Sequence, residues 1–127
     1  MRFVLPVLIL SLLFLPACPP MRQAEDPDVE VAKRAAVQIQ ALREGEAYDA
    51  LAPDLAERFR RDASRLPASQ RNRPVEVLGA ALVRKGEGFS EVAVIVRVTP
   101  PGVAPLENRA FYRVQNGKVV RVFPAMP

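Results

Sequence analysis

The sequence predicts an α+β domain in which two to three N-terminal helices pack on a four-stranded curved antiparallel meander. Three observations carry this. Apolar residues recur at helical spacing up to Leu66, and β-branched residues alternate with others from Val75 onward. Asn116-Gly117 then joins the last two apolar runs, which is the strongest short hairpin signal.

The first helix starts at Asp26, a good N-cap, with Pro27 fitting the first helical position. Asp28 and Glu30 favour the positive end of its dipole. Val29, Val31, Ala32, Ala35, Ala36, Ile39 and Leu42 share one face, and Glu30, Lys33, Arg34, Gln38 and Gln40 lie largely opposite. Gly45 is placed to end this helix. A shorter helix is expected over residues 46–52, contributing Tyr48 and Leu51. Pro53 opens another, running to about Arg65, with Leu55, Ala56, Phe59, Ala63 and Leu66 on one side. Pro67 closes it, and residues 67–74 read as a polar connection.

Strands are expected over 75–84 and 89–99, separated by the turn Lys85-Gly86-Glu87-Gly88. Val92, Val94, Val96 and Val98 alternate with Glu91, Ala93, Ile95 and Arg97, as in an antiparallel strand covered on one side. After a loop over 100–108, strands 109–115 and 118–123 form the Asn-Gly hairpin. A two-residue turn pairs Val114 with Val119, Tyr112 with Arg121 and Ala110 with Phe123. Phe111, Arg113, Val120 and Val122 then occupy the other face. Both faces are partly apolar, so the sheet is covered by helices on one side and partly sheltered on the other.

The N-terminus carries the other main signal. Arg2 precedes an almost wholly apolar stretch over residues 3–15, and Ala17 stands directly before Cys18. Charge, short apolar core and small residue at the cut compose a secretory signal. The run of about fifteen residues is shorter than the roughly twenty needed to span a bilayer. Leu15-Pro16-Ala17-Cys18 resembles the lipobox of bacterial lipoproteins, with Pro16 where small or hydroxylated residues are commoner. The resemblance implies cleavage between Ala17 and Cys18, and a Cys18 thiol that carries diacylglycerol under an acylated amino terminus. A retained membrane anchor and a plain secretory signal with a free thiol are the alternatives. Each buried methylene contributes about 0.8 kcal/mol, so several chains together hold firmly. Pro19, not aspartate, follows the cysteine, and the family pattern then implies the periplasmic face of an outer membrane in the bacterial cell envelope. The organisation expected is signal 1–17, lipidated cysteine with a short tether 18–25, and one domain 26–127. Fully extended, that tether reaches only about 20 Å.

The mature chain of 110 residues would carry net charge +3, from 17 basic and 14 acidic side chains. That is well short of a dedicated nucleic-acid binder. There is no histidine, and the single cysteine is the lipid site. The commonest proton shuttle, a thiol nucleophile and a Cys/His zinc set are therefore missing, and no metal or cofactor is expected. Carboxylate chemistry stays open through a buried Asp or Glu.

Gly45-Glu46-x-Tyr48-x-x-Leu51, a proline-started helix and a sheet ending in Asn-Gly-Lys together resemble the nuclear-transport-factor-2-like fold over residues 27–123. They are similar to the small versions found on bacterial lipoproteins. Val119 stands where that family often has tryptophan. Relatives of this fold hold acid and base residues in an apolar cone, and Tyr48, Asp49 and Tyr112 are the polar residues that could face one here. Without such a cone, both tyrosines would sit at the core edge with their hydroxyls in water, and Asp49 would be a solvated helix residue.

Arg58, Arg61 and Arg65, within the basic run that also holds Arg60, Arg71 and Arg73, form a helix stripe suited to an acidic surface. The same stripe could be self-neutralised by Asp54–Arg58 and Glu57–Arg61 pairs at i,i+4. The expected function is a membrane-anchored binding or interaction module. It would take a small apolar ligand, a peptide or a second copy of itself. A cone enzyme using carboxylate or tyrosine acid–base chemistry, and a structural lipoprotein holding acidic polymer through the arginine stripe, are the alternatives.

Overall fold

In the computed structural model, which describes residues 26–125, Asp26 opens helix α1 (Pro27–Ala41). Its Oδ1 accepts the Asp28 N–H at 2.9 Å, while Oδ2 takes Lys85 Nζ at 2.6 Å. The expected signal, Cys18 and tether lie outside the described residues. Helix α1 does not run on to Gly45. It stops at Leu42, whose φ is 53°, because residues 72–73 take over its terminal carbonyls. Arg73 N–H donates to the Ala41 carbonyl (2.8 Å) and Asn72 N–H to that of Leu42 (3.0 Å). The Arg73 guanidinium donates to the Gln40 carbonyl through Nε (3.1 Å) and Nη2 (3.0 Å). A distant segment thus does the work that a glycine cap usually does.

The short helix expected over 46–52 is absent, so there are two α-helices among the described residues. Tyr48 adopts a left-handed backbone, φ 55°, and Leu51 forms a parallel bridge with Val119. Val119 N–H donates to the Ala50 carbonyl and Ala52 N–H to that of Val119, both at 2.8 Å. Gln38, on the side of α1 expected to be polar, is buried here and holds the segment in place. Its Nε2 donates to Asp49 Oδ1 (2.6 Å), and its Oε1 accepts the buried Ala50 N–H (3.2 Å). Gln38→Leu should lower unfolding free energy by about 1–3 kcal/mol, because it strands that N–H. Urea unfolding checks this against Gln40→Leu, which is expected to lose less.

Helix α2 (Pro53–Ser64) buries Leu55 and Ala56 and leans Phe59 on the core. A 3₁₀ turn, Ala68–Gln70, leads to the sheet. Strands β1 (Val75–Gly86), β2 (Phe89–Val98), β3 (Leu106–Gln115) and β4 (Lys118–Pro124) pair in that order, all antiparallel. The architecture is α+β: two helices on one face of an open four-stranded sheet. Ser90, Val92, Val94, Val96 and Val98 are buried on the helix side with Ala110, Tyr112, Val114 and Val119. Ala32, Ala35 and Ala36 are fully buried, and such small side chains let α1 lie close on the sheet.

One register differs from expectation. Val114 pairs with Val119 as the turn requires, but the ladder slips by one residue before Arg113. Tyr112 then pairs with Val122, not Arg121, and Ala110 with Pro124, not Phe123. A bulge at Val120 resolves the conflict between a two-residue turn and a buried arginine. Without it Arg121 would face the core beside Tyr112.

Candidate functional site

The slip at Val120 moves Arg121 and Phe123 to the sheet face that neither helix covers. There they meet Arg113 and Phe111, their partners on β3. Alternation along β2 puts Phe89, Glu91, Ala93 and Ile95 on the same face. The rings and guanidiniums interleave. Phe89 has Arg84 5.1 Å and Arg113 4.6 Å from its ring centre, and Phe123 has Arg121 at 4.8 Å and Arg113 at 5.9 Å. Gly86 makes room for this. A Cβ there would stand 2.1 Å from Phe89 Cε1, so the ring lies directly on the glycine.

Glu91 ties the arginines together. It accepts from Arg113 through Nε (3.1 Å) and Nη2 (2.6 Å), and Arg84 Nε stands 3.3 Å from its other oxygen. The Arg113 hydrogen bonds hold the Glu91 carboxyl below its ordinary range against an opposing desolvation, with the Arg84 charge helping. The result is a half-buried platform of flat aromatic and guanidinium surfaces, held rigid by one carboxylate. Arginines and aromatic rings of this kind are the residue types enriched at the centres of protein interfaces.

The residues singled out from the sequence fall elsewhere and do not converge. Tyr112 is 1% exposed in the core under α1, and burial pushes its hydroxyl pKa up to about 12. Asp49 is in a turn, not a helix, with its side chain 62% exposed and Arg34 3.8 Å away. The hydrogen bond from Gln38, above all, lowers its pKa. Tyr48 is 2% exposed, so neither tyrosine projects from the core edge as expected. Tyr48 alone of the three lines one of the cavities described, a surface pocket beside α2. None of those cavities is lined by Tyr112 or by the valines of β2. The space expected for a cone is occupied by the chain's own side chains.

The basic run divides in two. Arg58, Arg61 and Arg65 are exposed, but the expected pairs with Asp54 and Glu57 do not form; Arg65 stands 3.9 Å from Asp62 instead. Arg60, Arg71 and Arg73 donate to backbone carbonyls, Arg60 from an exposed position. Among the described residues, no three His, Cys, Asp or Glu side chains are grouped to hold a metal ion, and no helix is long and apolar enough to cross a membrane. The outer-face platform was missed because the pairing assumed a regular hairpin. The signal was present in Arg121, which that pairing would have buried opposite Tyr112. Comparison of the chain with protein-family models, with curated proteins and with solved structures finds no match.

Proposed function

We propose that the protein is a lipid-anchored lipoprotein of the bacterial envelope whose sheet face opposite α1 and α2 docks an acidic protein partner. One observation carries the docking surface: the Phe89–Arg113–Phe123 lattice on a face that neither helix covers. That face presents Arg84, Arg97, Arg109, Arg113 and Arg121 against Glu76, Glu91 and Glu107. Glu76 and Glu107 are engaged by Arg97 (2.9 Å) and Arg109 (3.2 Å), and Glu91 serves two arginines. Arg121 has no carboxylate within 4 Å among the described residues. The excess is cationic, which favours an acidic partner over a second copy bearing the same charge. Helices followed by an antiparallel meander with the Asn-Gly-Lys turn support a small nuclear-transport-factor-2-like fold, and Cys18 behind a short apolar leader supports the anchor.

Two measurements test this. Fatty-acid labelling should mark the wild type and not Cys18→Ser, and an unlabelled wild type would overturn the anchor. For the docking face, a photo-crosslinking amino acid at position 95 should capture a heterologous protein in cells. The same probe at position 58 on α2 should not, and Arg121→Glu should abolish the adduct. An adduct of two copies of this chain, with a concentration-dependent dimer in sedimentation that Arg121→Glu breaks, would overturn the acidic-partner reading.

A further inference from the structure

A second polar site lies away from the sheet face, between the 43–48 loop and the C-terminal half of α2. It is a surface cavity of about 290 Å³, walled by Arg43, Glu44, Glu46, Tyr48, Arg60 and Arg71. Two buried donors in these walls have no partner among the described residues, the Tyr48 hydroxyl and Arg71 Nε. Each such orphan is destabilising, and a few per molecule are the exceptions that call for an explanation. Here both occur in residues of one cavity.

The charges in the cavity are unevenly matched. Glu44 faces Arg71 at 3.4 Å, and Glu46 faces Arg43 at 3.8 Å. The Arg71 guanidinium is further committed to the Ser64 and Leu66 carbonyls, at 3.1 and 2.8 Å. Arg60 has no carboxylate among the described residues. Its Nη2 donates to the Ala47 carbonyl at 3.1 Å, and its guanidinium lies 5.9 Å from the Tyr48 ring centre. The cavity therefore holds one unmatched positive charge, a flat fork able to grip a planar oxyanion, and buried donors in want of an acceptor.

We propose that this cavity binds a small organic carboxylate as a monoanion. Arg60 is the charge partner, and the Tyr48 hydroxyl, closed to solvent here, must be uncovered to donate to the bound oxygen. The volume sits at the lower end of small-molecule sites, which suits a compact acid. Glu44 at the mouth and the largely buried Glu46 beside Tyr48 disfavour ligands of higher negative charge.

The purified protein tests this by thermal unfolding with sodium benzoate, sodium acetate and inorganic phosphate, each against sodium chloride at matched ionic strength. Benzoate should raise Tm saturably, with half-effect on the order of 1 mM. Arg60→Gln should weaken that response roughly tenfold or more. Tyr48→Phe should raise Tm without ligand, since it removes a stranded hydroxyl, and should shrink the benzoate response. Arg121→Glu, on the sheet face, should leave the response intact, so this site and the docking face fail separately. A response that does not saturate, that saturates only with phosphate, or that survives in both pocket variants would overturn the proposal. So would a Tyr48→Phe protein less stable than wild type.

Discussion

Tyr112→Ala is expected to lower unfolding free energy by about 3–5 kcal/mol, the largest effect of any single truncation here. Tyr112 heads the fully buried side chains by size, and its ring sits where β2, β3 and β4 meet, opposite Val92 and Val122. The residues around it cannot close over the void. Val92, Val94 and Val114 are held by the sheet ladder, and Ala32, Ala35 and Ala36 have no length to spare. Against a typical total of about 5–15 kcal/mol, that loss takes roughly a fifth or more of the stability. In urea it should lower the unfolding midpoint by roughly 2 M, given slopes of about 1–3 kcal/mol/M. Phe111→Ala, one residue along and facing away from the helices, is the internal comparison. It should cost less, because that ring is already partly in solvent. Equal losses at the two positions would mean that the outer face is as dry as the inner one, and the docking face would lose its support.

The fold's broad outline was legible because its elements follow local rules. Asp26 caps as its type and position suggest, and Pro53 starts α2. The even-numbered valines of β2 lie inward, as strict alternation requires. What escaped was set by contacts between distant segments. Helix α1 stops early because Arg73, more than thirty residues on, takes its carbonyls. Residues 46–52 satisfy helical spacing, but Val119 offers them a ladder partner and Gln38 a buried amide, so they form a turn and a single bridge instead. The candidate site suffered most. Tyr48, Asp49 and Tyr112 were grouped by residue type, whereas a one-residue bulge in β4 decides which side chains share a face. Hydrophobic pattern alone scarcely marks such a bulge. The cost of burying Arg121 does.

Raising the pH should unfold the protein in a step tied to Tyr112. Its ordinary pKa of 10 is pushed up to about 12, and burial is the cause. A folded-state value above the unfolded one favours the neutral ring in the native state. The associated stability is therefore fully present below pH 10 and is lost as pH rises to about 12. Two units correspond to about 3 kcal/mol, enough to matter in a domain this size. The Tyr48 hydroxyl is also raised, by burial first and the nearby Glu46 second, with Arg60 opposing. Lys85, raised by its hydrogen bond to Asp26, gives up its contribution over an overlapping alkaline range. With two tyrosines and no tryptophan in the chain, absorbance of the tyrosinate band follows both rings without interference. Ionisation of Tyr112 should coincide with loss of circular dichroism above pH 10, and Tyr112→Phe should move that loss to higher pH. Should both rings titrate near pH 10 while the dichroism holds, water reaches the space between α1 and the sheet, and the inner face is not the sealed layer that leaves the outer one free for a partner.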